Sequence, residues 1–346
     1  MDYEGRYKAF DATRIKTYPL RGRSNKVTFG DLVFPKDVGT VAPALPGQVQ
    51  DDIGMLAGQI AAARRGGKPV ILFTGAHLIK NGLGPLLADL VARGWVTLVA
   101  GNGATAIHDF ELALIGETSE NVPAGLDQGL FGMAAEFAYI NTALSVGNQQ
   151  RLGFGEAVGR TVCDEAFRRQ VAALVVGEGL IAEFNHPEVS VLAACYRRGV
   201  PFTVHAGIGA DVIDQHPSFD GQAKGGCSGR DFLIYADEVT RLTTGGVVLN
   251  IGSAVTGPEV LLKAVSMAAN VGCAPRGLLT ADFDLREHEP RQMSDEAAPG
   301  YYFRDQKSVV TRIPQAFAGR GLYLRGDQKQ TFVFLYQQIV EHEGRA

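Results

Sequence analysis

Five short stretches of this 346-residue chain carry the side chains that could do chemistry, and each follows an apolar run. They are Thr74-Gly75-Ala76-His77; Gly101-Asn102-Gly103-Ala104, continuing to His108-Asp109; His205 to Asp211; Asn250-Ile251-Gly252-Ser253; and Thr280-Ala281-Asp282-Phe283-Asp284. Small residues let a ligand approach the backbone, and N–H groups at the start of a following helix can hold a phosphate. Together the stretches point to a nucleotide-like ligand, although any one such turn uses small residues with or without a ligand. The run Gly101 to Ala106 has Ala106 where the GxGxxG fingerprint has its third glycine. His108 could be an acid/base group, a ribose contact, or a histidine bonded to backbone at a helix start. His205, Asp211, Asp214 and His216 are ligand-type side chains, but their spacing matches no metal motif and no metal is expected. Asp282 and Asp284 stand two apart on a strand end, so they share a side and suit amine binding or proton transfer. Cys227, in Lys224-Gly225-Gly226-Cys227-Ser228-Gly229, reads as part of a flexible loop. A helix start behind it would be needed to activate the thiol.

The elements that must position these residues follow from the hydrophobic pattern. Continuous apolar runs at 69–73 and 95–100 mark strands buried on both faces. Further strands are expected at 171–176, 201–205, 246–251, 276–283 and 322–325. Helices are expected at 53–64, 84–93, 106–115, 187–198, 228–242, 257–270 and 328–341, with Ser228 as a plausible cap. Strands alternating with helices predict an α/β fold, with a mostly parallel sheet covered on both sides. Residues 1–50 hold Pro19, Pro35, Pro43 and Pro46 and read as an extended arm, either wrapped on the surface or packed on a neighbouring subunit. Residues 51–346 read as one α/β domain, with a less regular insertion at 117–155 that could be helical.

Bulk properties narrow the class. The net charge of −4 gives no basic excess to suggest nucleic acid. No apolar stretch is long enough to span a bilayer, and the polar residues 1–16 do not form a signal peptide. The four cysteines are far apart with no CxxC pair, which fits reduced thiols in a cytoplasmic enzyme.

At its strand-end turns the sequence resembles deoxyhypusine synthase and its bacterial relatives, over roughly residues 69–340. The resemblance implies a doubly wound, Rossmann-like NAD-binding fold and a homotetramer or homodimer with active sites near subunit interfaces. Thr74-Gly75-Ala76 looks like the family's turn that contacts NAD. Asn102-Gly103-Ala104 falls where the family has a second turn beside the dinucleotide. His108-Asp109 falls on an acidic pair, with His108 in place of the carboxylate expected at the cofactor ribose. Thr280-Ala281 matches a pair that holds NAD, and Gly326-Asp327 resembles the last cofactor contact.

The departures shape the functional expectation. Asp211 matches the family's amine-binding acid, but Ala206 stands at the cofactor-side acid, and Thr256-Gly257-Pro258 occupies the place of a histidine pair. The family's nucleophilic lysine falls on Arg312 in Val310-Thr311-Arg312. A guanidinium stays protonated and cannot form an imine. Arg312 would instead bind a substrate carboxylate or phosphate, with Lys307 as a displaced nucleophile. The resemblance thus implies an NAD-using transferase or lyase that acts on a small amine, polyamine, amino acid or related metabolite and does not modify a protein lysine. His205, Asp211, Asp282 and Asp284 would contact that substrate. The alternatives are a hydrolase or lyase for a nucleoside or nucleotide held in the former NAD cleft, and a ligand-binding or assembly protein without catalysis.

Overall fold

The computed structural model describes residues 3–39, 44–175 and 183–343. Short 3-10 turns surround strand β1 (Asn25–Thr28), and α1 (Gly47–Arg65) then leads into the alternating region. Its first half runs β2 (Val70–Thr74), α2 (Ala76–Lys80), α3 (Gly84–Ala92), β3 (Leu98–Asn102), α4 (Gly103–Ile115) and β4 (Glu117–Glu120). Helices α5 (Val122–Leu126), α6 (Phe137–Gln149), α7 (Phe154–Cys163), α8 (Glu165–Ala172) and α9 (Val191–Arg198) precede β5 (Phe202–His205). The second half runs α10 (Gly221–Thr240), β6 (Val247–Ile251), α11 (Thr256–Asn270) and β7 (Leu279–Asp284). A π-helical turn (Gln306–Arg312), α12 (Ile313–Ala316), β8 (Arg320–Arg325) and α13 (Gln328–Glu343) complete it.

Six of the strands form one parallel sheet in the order β5-β3-β2-β6-β7-β8. Counted along the sheet's own strands, this is the doubly wound order 3-2-1-4-5-6. The direction of winding reverses between β2 and β6, where Thr74 pairs with Ile251. Such a reversal leaves a crevice outside the carboxyl ends of the two strands, and that is where ligands bind in sheets of this type.

Alternation along each strand divides the core in two. Val70, Leu72, Val99 and Leu249 pack into the layer that includes α1, α3, α9 and α13. Ile71, Phe73, Ala100 and Val248 face the opposite way, against Tyr235 and Val239 of α10, Leu261 and Ala264 of α11, and Val309. Both faces are covered, so the strands are apolar throughout, as the sequence pattern requires. The edge strand β5 is closed off by α10. Asp231 accepts from Val204 N at 2.7 Å, and Ser228 Oγ accepts from Ala206 N at 3.1 Å and donates to Val204 O at 2.7 Å. These bonds occupy edge groups that would otherwise pair with another chain.

Two expectations need correction. The strand expected at 171–176 is not formed at its start: Val171 and Ala172 end α8, and 173–174 form a turn. Asp164 caps α8, and Phe167 and Val171 share its buried face four residues apart, so helical spacing outweighs the apolar run. Val176 lies outside the described residues. The segment around Cys227 is not a loop. Helix α10 starts at Gly221 under an Asp220 cap and buries Cys227 completely, and burial pushes that thiol up. Gly226 lets α6 approach, because a Cβ there would lie 2.4 Å from Asn148 Oδ1. Among the described residues no helix is long and apolar enough to cross a membrane.

The amino-terminal segment closes onto the same chain. Leu20 is fully buried, its N–H donates to Glu136 Oε2 at 2.7 Å, and β1 pairs antiparallel with β4. This contact brings Arg23 beside the carboxyl end of the sheet.

Candidate functional site

Two cavities open at the carboxyl ends of the strands, on either side of α2. The first, about 230 Å³, lies at the β2/β6 reversal. Its lining includes His77, Gly252, Asp284, Arg286, Asp305 and Asp327. The second, about 190 Å³, lies over the start of α4 and includes Arg23, Lys80, His108, Glu111, Glu120 and Asp211. His77 stands near enough to both Lys80 and His108 for their charges to act on it; burial first, and then those charges, push its ring below the usual histidine range. A further apolar cavity of about 250 Å³, beside Leu192, Tyr196 and Pro201, flanks the beginning of β5, away from these polar strand ends.

The floor of the reversal cleft is backbone. Gly75 N donates to Ile251 O at 3.0 Å, and a Cβ on Gly75 would lie 2.2 Å from Gly252 O. Gly252 has φ +63°, which favours glycine, and a Cβ there would lie 2.2 Å from Gln328 Nε2. Gly326 and Asp327 stand on the β8 side of the cleft, where Asp327 Oδ1 accepts from Lys329 N in the first turn of α13.

Charge in this cleft gathers around Arg286. Its Nε donates to Asp284 Oδ2 at 2.6 Å, and it also pairs with Asp305. Burial opposes the charge on Asp284, but the Arg286 guanidinium outweighs it and holds the carboxyl below its ordinary range. Deeper in β7, Asp282 Oδ1 accepts from Asn250 Nδ2 at 2.7 Å, while its Oδ2 has no hydrogen-bond partner. Burial and then the Asp305 charge raise Asp282 well above the usual carboxylate range. Oxygens of Asp282, Asp284 and Asp305 lie within 4.8 Å of one another.

The second cavity is built by interlocking turns. Asp211 follows β5, and its carboxylate presses on Gly103 at the start of α4. Lys224, fully buried on α10, donates to Asp211 Oδ2 at 2.7 Å, Asp214 Oδ1 at 2.5 Å and Gly207 O at 2.9 Å. Arg23 lies 2.7 Å from Glu111 and 3.8 Å from Glu120, with all three side chains nearly buried. Lys80 has no ion-pair partner among the described residues.

The sequence-expected residues thus separate into groups. Asp284, Gly326 and Asp327 meet in the first cleft, with Gly75 buried beneath it against Gly252, and Ala104, His108 and Asp211 meet in the second. Ala76 starts α2 between them. Asn102 caps α4, accepting from Thr105 N at 2.9 Å, and Gly103 makes room for Asp211. Thr74 is fully buried and donates to Gly75 O at 2.9 Å.

Other residues are placed away from both cavities. Thr280 and Ala281 are fully buried within β7, and Thr280 donates to Val309 O at 2.5 Å, tying the sheet to the π-helical turn. His205 lies beneath the sheet between Phe73, Phe232 and Tyr235, with a ring bond to Thr203 Oγ1 at 3.1 Å; burial lowers it to about 4. Lys307 is buried over the Tyr301 ring, and burial lowers its ammonium; the exposed Arg312 flanks the same ring. Asp109 turns away to cap α9, accepting from Ser190 Oγ at 2.5 Å and Val191 N at 2.8 Å.

His77, Arg286 and Lys224 lie within or just beyond the sequence motifs, but residue type and spacing alone do not mark them as site residues. Asp305, Arg23 and Glu111 come from segments with no such signal.

No protein-family model matches the chain, and no curated protein matches it. Solved structures similar to it include ArgZ, an arginine dihydrolase from the ornithine-ammonia cycle in cyanobacteria (16% identity, TM-score 0.46, covering 87% of this chain and 33% of that one). AgrE in ternary complex with ornithine and NAD+ gives 15% identity and a TM-score of 0.48, covering 89% of this chain and 35% of that one. A candidate deoxyhypusine synthase from Entamoeba histolytica gives 9% identity and a TM-score of 0.46, covering 94% and 97%. The chain spans about a third of the length of the first two. None of these three reaches a TM-score of 0.5.

Proposed function

We propose that the chain is an NAD-dependent enzyme acting on a small amine or amino acid. One observation carries this reading: a glycine-floored cleft at the winding reversal stands next to a charged cavity, with His77 close to both. The cleft takes the dinucleotide, and the cavity takes the substrate. Gly252 and Gly326 leave backbone open to a flat ligand, and Asp284 and Asp327 suit ribose hydroxyls. NAD, when bound, accepts hydride from the carbon that bears the amine or hydroxyl. In the second cavity Lys80 pairs with a substrate carboxylate, and Asp211, held by Lys224, faces the ammonium. The buried pairs exclude water around the reacting carbon.

A second reading, a hydrolase or lyase for a nucleoside, is favoured by the charge of the first cleft. Arg286 is already committed to Asp284 and Asp305, so it offers little to a pyrophosphate. The cleft is also below the ~300–1,000 Å³ typical of ligand pockets, which suits half a dinucleotide. Native mass spectrometry of the protein incubated with NAD, and separately with adenosine, distinguishes the two. An NAD adduct is expected. Adenosine binding without NAD binding supports the second reading, and neither adduct overturns both.

A further inference from the structure

The second cavity contains a hydrogen-bond chain whose direction is fixed by its chemistry. His108 Nδ1 lies 2.7 Å from Thr118 Oγ1, and Thr118 Oγ1 lies 2.5 Å from Glu111 Oε2. A carboxylate only accepts, and a threonine hydroxyl has one proton to give. Thr118 therefore spends its proton on Glu111 and must accept from His108, so the imidazole carries its hydrogen on Nδ1. The lone pair is then on Nε2, which has no partner among the described residues, on a ring that lines the cavity.

This direction requires Glu111 to be ionised, and its surroundings provide for that. Burial opposes the charge, but the neighbouring His108 ring, the Arg23 guanidinium and the Thr118 hydroxyl bond more than offset it and hold the carboxyl below its usual range. Arg23 comes from the amino-terminal segment and is itself held by Asn25, which accepts from Nε at 2.8 Å. The Arg23–Glu111 contact is short but poorly aligned, so it acts as an ion pair more than as a directed hydrogen bond. The pairing of β1 with β4, which places Val27 opposite Thr118, seats both partners.

We propose that His108 is the base of the second cavity, with Thr118, Glu111 and Arg23 as its positioning residues. The assignment rests on that cavity being the substrate site. Nε2 takes a proton from a ligand N–H, O–H or C–H bond, and the bonding electron pair stays on the ligand. The resulting imidazolium keeps its Nδ1–H on Thr118, and the Glu111 carboxylate 3.6 Å away offsets its charge. The arm is thereby part of the site, because Arg23 keeps Glu111 charged.

Long-range 15N–1H correlation spectra of uniformly 15N-labelled protein, free of ligand, test this directly. The His108 signal is identified by its loss in His108→Gln. The neutral ring is expected to be the Nδ1–H tautomer in the wild type. It is expected to shift toward Nε2–H in Thr118→Val, which removes the acceptor, and to return in Thr118→Ser. An Nε2–H tautomer in the wild type overturns the proposal, and so does an unchanged tautomer in a folded Thr118→Val. Should Thr118→Val fail to fold, the wild-type spectrum alone decides. Because no NAD is present, the result is independent of whether the first cleft binds a dinucleotide.

Discussion

The Asp211 carboxylate occupies the space that a side chain at Gly103 would take: a Cβ built there would lie 2.2 Å from Asp211 Oδ2. The turn after β3 and the turn after β5 are therefore shaped to each other. Gly103→Ala must push the carboxylate off Lys224. Overpacking of this kind costs about 1–3 kcal/mol, and the urea midpoint should fall accordingly, with weaker binding of an amine ligand. An unchanged midpoint would show that the two turns are not in contact.

Lys224 pairs with two carboxylates while itself fully buried. Lys224→Met leaves Asp211 and Asp214 without their counter-charge, a change that costs about 3–5 kcal/mol for a broken buried pair. Adding Asp211→Asn and Asp214→Asn should recover much of that loss. Denaturation of the single and triple variants checks this; equal stability of the two would argue against the ion triad.

His205 gives the stability a pH dependence of known sign. Its folded value of about 4 lies below the ordinary 6.5 because burial disfavours the charged ring. The folded state thus binds fewer protons than the unfolded state in that interval. Its contribution is fully present above pH 6.5 and is lost as pH falls toward 4, by about 3 kcal/mol at most. His205→Phe, among Phe73, Phe232 and Tyr235, should flatten this part of the profile. The check is the difference in unfolding free energy between wild type and variant at several pH values.

Much of the architecture was legible because buried parallel strands are written as continuous apolar runs. Residues 69–73 are an example. The strand-end turns at Gly75, His108, Asp211 and Asp284 were legible for the same reason, since they follow such runs. What escaped was set by contacts distant in sequence. Arg23 meets Glu111 only because β1 pairs with β4, and Asp305 meets Asp284 only because the π-helical turn lies beside β7. Thr280 lay in a motif, but at the second position of a six-residue strand it is four residues short of the carboxyl end. Lys224 was hidden among glycines that favour a loop locally, while packing of α10 against α6 and β5 makes them helical.

Arg312 is exposed and lines neither cavity, and its guanidinium lies 5.9 Å from the centre of the Tyr301 ring. Arg312→Ala should change stability by no more than about 1 kcal/mol, the scale of an exposed cation–π contact, and should leave NAD affinity unchanged. Calorimetric titration measures the latter, and a large loss of affinity would return Arg312 to the site.

The most direct test of the account is a calorimetric titration of the intact chain with NAD, wild type against Ala254→Trp. Ala254 is exposed and lines the reversal cleft, so an indole there fills the cleft without disturbing the core. The account predicts saturable binding to the wild type and at least roughly tenfold weaker binding to the variant, about 1.4 kcal/mol. No binding to the wild type, or equal binding to both, would contradict it.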